Sequence, residues 1–130
     1  MEKVEVVAEK VGRLLNAKVE QHAEKYSFKK TRTLEIFADN SRFTCTLDLD
    51  ISFERFQEDG SAFNQAEIFL LPEEFPAFTF ALREHQIPFP TAYRQWQEAN
   101  PQIISVCMES IEPPEHFAER LSAALQVLDQ

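Results

Sequence analysis

Phe43, Cys45, Leu47, Leu49, Ile51 and Phe53 alternate with Thr44, Thr46, Asp48, Asp50, Ser52 and Glu54. Side chains on a strand point to opposite faces with period two. The stretch therefore predicts a half-buried antiparallel strand with all six apolar residues on its covered face. The period differs at the chain's start. Val4, Val7, Ala8, Val11, Leu14 and Leu15 recur at helical spacing, with charged residues between them, which predicts an amphipathic helix. Asn16 tolerates the left-handed conformation of a helix stop and marks its end. Val19 to Phe28 reads as a polar edge strand, and the β-branched, aromatic-rich run Thr31 to Ala38 as another strand.

Asp39-Asn40-Ser41 and Glu58-Asp59-Gly60-Ser61 are turn clusters, and Ala66 to Leu71 is a further strand. Pro72-Glu73-Glu74 opens a helix, because proline suits the first helical position and early acids favour the positive end of the dipole. Phe75, Phe78, Thr79 and Leu82 form its inward stripe. Pro88 and Pro90 stop that helix and lead into an extended segment ending near Trp96. Ala99-Asn100-Pro101 is a connection, and Gln102 to Glu109 is a strand. Pro113-Pro114 opens a last helix with Phe117, Leu121, Ala124, Leu125 and Leu128 inside. The order is helix, three or four strands, helix, two strands, helix. Short links between the middle strands favour antiparallel pairing. The expectation is one α+β domain over residues 1–130: a two-layer arrangement of a mainly antiparallel sheet with helices packed on it.

Composition adds limits. A chain of 130 residues buries roughly two-thirds of its unfolded surface, and 12 Phe supply large apolar area for a core. Only Gly12 and Gly60 occur, so a phosphate loop or dinucleotide fingerprint, which needs several clustered glycines, is excluded. Acidic residues outnumber basic ones 22 to 13, for a net charge of −9. That balance opposes nucleic acid and anionic membrane surfaces as partners. Two cysteines, Cys45 and Cys107, do not make a secreted disulfide framework. The charged start MEKVEVVAEK has no apolar signal core, and no run approaches the length of a membrane span. The expected setting is cytoplasmic and reduced.

The second half of the chain carries a family pattern. Leu70-Leu71-Pro72-Glu73-Glu74, Ala81-Leu82-Arg83-Glu84-His85-Gln86-Ile87, Trp96, Pro101 and Ser110-Ile111-Glu112-Pro113-Pro114 stand in order, followed by Phe117-Ala118. Together they resemble the LppY/LpqO-type bacterial domain of unknown function; the upstream half agrees only in pattern. The departures bear on chemistry. Where that family reads His-Asn-His, this chain reads Tyr93-Arg94-Gln95; where it has a later histidine, this chain has Cys107; and Gln86 replaces a glycine. The resemblance therefore implies a degenerate member without the family's histidines, and nothing those histidines do carries over.

Period two places Tyr93 and Gln95 on one strand face and Arg94 and Trp96 on the other. With Cys107 across from Tyr93 and Gln95 on the next strand, the first face forms a candidate pocket floor for a small ligand. The plainer alternative is ordinary packing and solvated surface. Arg94 and Trp96 are a candidate cation–π pair or recognition surface. Cys107 as a nucleophile would need a nearby base; His85 is the nearest histidine in sequence but ends a helix, and no separate orienting group is recognisable. Asp48, Asp50 and Glu54 are oxygen donors of the kind that bind hard cations, but a solvated strand face looks the same. No Cys/His spacing suits zinc. No metal or cofactor is expected. These features favour a non-enzymatic interaction domain that self-associates or binds a protein partner. The alternatives are a small-ligand-binding protein using the Tyr93/Gln95/Cys107 face, and an acidic secretion-type chaperone, suggested by layout and low pI alone. An enzyme ranks last.

Overall fold

The computed structural model describes residues 3–99 and 102–128. Among them, in chain order, are α1 (Val4–Leu15), β1 (Lys18–His22), β2 (Lys25–Ala38), β3 (Ser41–Glu54) and β4 (Ala62–Leu70). A short 3-10 turn (Pro72–Glu74) leads into α2 (Phe75–Arg83), followed by β5 (Tyr93–Ala99), β6 (Ile104–Glu112) and α3 (Pro114–Val127). The strands form one antiparallel sheet in the order β1-β2-β3-β4-β6-β5. This is the expected α+β fold in two layers. β1 and β5 are the edges. Of the expected connection Ala99-Asn100-Pro101, Ala99 ends β5, and Asn100 and Pro101 lie outside the described residues.

Local chemistry accounts for the joints. Asn16 takes φ 53° and ends α1, with the Ala17 amide returning to the Gly12 carbonyl. Asp39 and Asn40, at φ 50° and 65°, make the two-residue turn between β2 and β3, a conformation for which Asn and Asp are suited. Gly60 holds φ 90° in the turn before β4, where Asp59 Oδ1 accepts from the Ser61 amide and hydroxyl. At the start of α2, Glu74 Oε1 accepts from the Leu71 amide at 2.9 Å and from Arg32 Nη1 at 3.0 Å, while Arg32 Nη2 donates to Glu74 Oε2 at 2.8 Å. The pair ties the helix entry to β2. Burial would raise the Glu74 carboxyl, but hydrogen bonds from Arg32 and the Leu71 amide, with the guanidinium charge, hold it below the usual range.

All three α-helices lie on one face of the sheet. Val7, Val11 and Leu15 of α1, Phe78 and Leu82 of α2, and Phe117 and Leu121 of α3 pack in one core with Phe28, Leu49, Ile51, Ile68 and Val106 of the sheet. The other face carries no helix among the described residues. The alternation in β3 has the expected phase, but burial of its apolar set is only partial. Leu49, Ile51 and Phe53 are buried, Cys45 and Leu47 are half-buried, and Phe43 is 49% exposed. The physical reason is the length of the β2–β3 hairpin. β3 pairs with β4 only from Asp50 to Glu54, whereas it pairs with β2 from Ser41 to Phe53. The far end of the hairpin therefore projects beyond β4, and there β3 has a strand on one side only, while Leu34 and Ile36 of β2, beside Cys45 and Phe43, stay buried. Four other spans differ from expectation. β5 runs past Trp96 to Ala99. β4 begins four residues earlier than Ala66, β6 runs on to Glu112, and residues 18–38 form a hairpin turning at Ala23-Glu24.

Candidate functional site

The sheet presents polar groups on both faces, and they meet different surroundings. On the helix-covered face, Tyr93 and Gln95 sit together as period two requires, and the Tyr93 hydroxyl donates to Gln95 Oε1 at 2.6 Å. Phe89 stacks on the Tyr93 ring with centroids 4.0 Å apart. The Arg120 guanidinium lies 5.0 Å from the Phe89 ring and 5.8 Å from the Tyr93 ring. Arg120 forms a two-pronged ion pair with Glu112, with side-chain exposures of only 2% and 4%. The Ser110 hydroxyl donates to Glu112 Oε2 at 2.6 Å, and Asn64 Nδ2 donates to the Glu112 carbonyl at 3.0 Å. Burial pushes the Tyr93 phenol well up; Glu112 adds to this and Arg120 opposes it. The phenol is therefore a neutral hydrogen-bonding group at physiological pH.

Cys107 does not join them. In the antiparallel register Tyr93 pairs with Ser110 and Gln95 with Met108, whereas Cys107 pairs with Trp96. Residues paired across antiparallel strands share a face. The expected Tyr93/Gln95/Cys107 floor is thus divided: the first two lie beneath the helices, and Cys107 lies on the open side with Trp96 and Arg94. The pairing phase between β5 and β6 decides this, and alternation within β5 alone does not reveal it.

The buried group of Asn64, Glu112 and Arg120 is the part that the sequence reading missed. Its signal was present. Arg120 stands at helical spacing between Phe117 and Ala124, inside the apolar stripe, and Glu112 continues the inward phase of Val106, Met108 and Ser110. The motif Ser110-Ile111-Glu112-Pro113-Pro114 also gains a physical meaning. Its acid pairs with Arg120, its serine donates to that acid, and its prolines start α3.

On the open face, register aligns one transverse row across all six strands: Lys18, Lys29, Asp50, Glu67, Cys107 and Trp96. The neighbouring row contains Ser27, Ser52, Gln65, Glu109 and Arg94. Apart from Lys18 and Arg94, these rows line a trough of about 440 Å³, with Lys25, Lys29 and Asp50 towards one side, Gln65, Glu67 and Cys107 at the centre, and Trp96 towards the other. The Ser105 hydroxyl donates to Glu67 Oε2 at 2.7 Å, and the Cys107 thiol approaches the same oxygen at 3.8 Å. Gln65 Nε2 donates to Glu109 Oε2 at 3.1 Å, and Arg94 Nη1 to Glu109 Oε1 at 3.3 Å. Arg94 lies over the Trp96 ring at 5.2 Å, the anticipated cation–π contact.

Burial raises the Cys107 thiol, and the Glu67 carboxylate adds to this against the opposing hydrogen bond from Ser105. A protonated thiol beside a carboxylate is a poor nucleophile. His85 uses Nδ1 to accept the Ile87 amide at 3.0 Å. His22 and His116 are exposed. Among the described residues, no group of three or more His, Cys, Asp or Glu is placed to hold a metal ion, and no helix is long and apolar enough to cross a membrane. What the open face offers is hydrogen-bond acceptors, both signs of charge and an aromatic wall.

Compared with known proteins, residues 9–127 match a family model described as Domain of Unknown Function (DUF1259). No curated protein and no solved structure matches the chain.

Proposed function

The chain belongs to this family of unknown function, and from that premise we propose that it is a non-enzymatic binding domain whose binding face is the uncovered side of the sheet. We place it as a bacterial, cytoplasmic member of the LppY/LpqO type in which Tyr93, Arg94, Gln95 and Cys107 stand where relatives carry His-Asn-His and a later histidine. The observation that carries the reading is the open-face trough, where five strands contribute side chains around Glu67, Cys107 and Trp96. Convergent polar groups in a concave site fix the orientation of a small ligand, and this largely polar trough with one aromatic wall suits a polar one. Tyr93 and Gln95 contribute by packing under the helices, and no metal or cofactor is part of the reading.

A thermal-shift screen of small polar compounds tests this proposal. Compounds that raise the melting temperature of the parent should lose that effect in Glu67→Gln and Trp96→Ala and keep it in Phe37→Ser. Effects that persist in both trough variants would contradict it.

One observation supports a second reading, in which the domain binds a protein partner or a second copy. The projecting end of the β2–β3 hairpin leaves Phe37 69% exposed and Phe43 49% exposed, with Arg42 set over the Phe37 ring at 5.9 Å. Exposed aromatics beside an arginine are common at interfaces. Light scattering at micromolar concentration tests self-association, and a mass of 15.1 kDa would contradict the second-copy form.

A further inference from the structure

Resting on the open face as the binding face, we propose that the slot between Glu67 and Trp96 binds a small organic cation bearing a primary ammonium group. Glu67 and Trp96 both pair in register with Cys107, one on each side of it. Strands lie about 4.8 Å apart, so the backbones of Glu67 and Trp96 stand about 10 Å from each other. Between them the floor is a small thiol side chain rather than a large one. An ammonium group on a short alkyl chain fits that width.

The donor and acceptor balance favours the same class. Glu67 receives Ser105 and the thiol on Oε2, and among the described residues Oε1 takes no hydrogen bond. Gln65 uses its amide nitrogen on Glu109, which leaves its carbonyl oxygen as an acceptor. Glu67 and Gln65 are two apart on β4, so they share the open face. A primary ammonium has three N–H donors for such acceptors, and a quaternary ammonium has none. Trp96 is 38% exposed, and its ring already attracts one cation, Arg94. That arginine is itself well exposed, is held by Glu109, and is not one of the residues lining the trough. The net charge of −9 raises the local concentration of cations. Lys29 lies two strands from Glu67, about 10 Å away at the backbone, with Asp50 between them to offset its charge.

Trp96 is the chain's single tryptophan, so its emission reports directly on the slot. The experiment titrates the full chain with butylammonium chloride, tetramethylammonium chloride and butanol at constant ionic strength, following Trp96 emission with calorimetry in parallel. Saturable binding of butylammonium at millimolar concentration is expected, with tetramethylammonium weaker and butanol silent. Glu67→Gln, isosteric and uncharged, should weaken butylammonium about tenfold or more, the equivalent of one charge-assisted hydrogen bond. Trp96→Leu should weaken it less, as read by calorimetry.

Equal responses to butylammonium and butanol, unchanged affinity in Glu67→Gln, or no binding at all would each overturn the proposal. N-acetyl-lysine methylamide presents the same ammonium from a peptide. If it binds at least about tenfold tighter than butylammonium, the assignment to a free small molecule is overturned in favour of a protein side chain. Failure of the cation class is separable from failure of the open-face reading. Other compounds stabilising the parent but not Glu67→Gln would retain the face and reject the cation, whereas compounds indifferent to every trough substitution would reject both.

Discussion

On the covered face of the sheet, Glu112 lies under α3 with both oxygens held by Arg120, one of them also by Ser110. On the open face, Glu67 sits on the neighbouring strand, in half-exposed surroundings, with a serine and a weak thiol donor on a single oxygen. The two acids come from the same kind of alternating strand, yet their surroundings assign them opposite work. A buried carboxylate without partners would be too costly, so the fold must satisfy it internally. A carboxylate at the open face can leave hydrogen-bonding capacity to water, and therefore to a ligand that displaces water. The polar group that looks better built is thus the structural one, and the less complete one is the candidate for binding.

The largest effect should come from breaking the covered cluster. Arg120→Met leaves Glu112 charged and unpaired in the interior, and should cost about 3–5 kcal/mol in chemical denaturation. Replacing both residues by apolar ones should recover most of that loss. A loss in the single variant below about 1 kcal/mol would mean that water reaches Glu112, and the contrast between the faces would weaken. Next comes a comparison along β3. Leu49→Ala, in the core, should cost about 2–5 kcal/mol through lost methyl groups and a cavity. Phe43→Ala, on the projecting end, should cost about 1 kcal/mol or less. Equal losses would show that the hairpin end is covered by something in solution.

Glu74 supplies an intermediate case with a pH signature. Its carboxyl lies lower in the folded state than in the unfolded chain, so its contribution is present above the unfolded value, about pH 4.3. The contribution is lost as pH falls through the folded value. Glu74→Gln should lower stability by about 1 kcal/mol at neutral pH, after allowance for solvent screening. The gap to the parent should close on acidification below about pH 4. A gap that stays constant from neutral to acid would show that Arg32 and Glu74 are not paired as charges. The smallest effect belongs to the trough. Glu67→Gln should change stability by no more than about 0.5 kcal/mol, because its partners are half-exposed; a loss above about 1.5 kcal/mol would make Glu67 structural.

Much of the fold was legible because its strongest signals are local. The helical spacing of Val4 to Leu15 and the stop at Asn16, the alternation through β3, and the stripe Phe117, Leu121 and Ala124 all depend on neighbours within one element. The β1–β2 hairpin was less legible because its turn is Ala23-Glu24, with Ala23 at φ 55°, where glycine or asparagine would have announced it. The early start of β4 was hidden by Asn64, an inward polar residue satisfied by backbone carbonyls. Exposure of Phe43 was hidden because alternation names a face without saying what covers it. The candidate site was half legible. Arg94 with Trp96, and Tyr93 with Gln95, follow from period two. The place of Cys107 follows from the pairing phase of β5 with β6, and the row through Glu67 from the pairing of β4 with β3 and with the sequence-distant β6, none of which a local pattern encodes.

The most direct test of the division between the faces is a map of backbone amide shifts in the nitrogen-15-labelled full chain as butylammonium chloride is added. Saturable shifts are expected at Gln65, Glu67, Trp96, Cys107 and Glu109, with Arg120, Phe117 and the far end of the β2–β3 hairpin unmoved. Shifts centred instead on Phe37 to Phe43, or on α3 and Tyr93, would contradict that division.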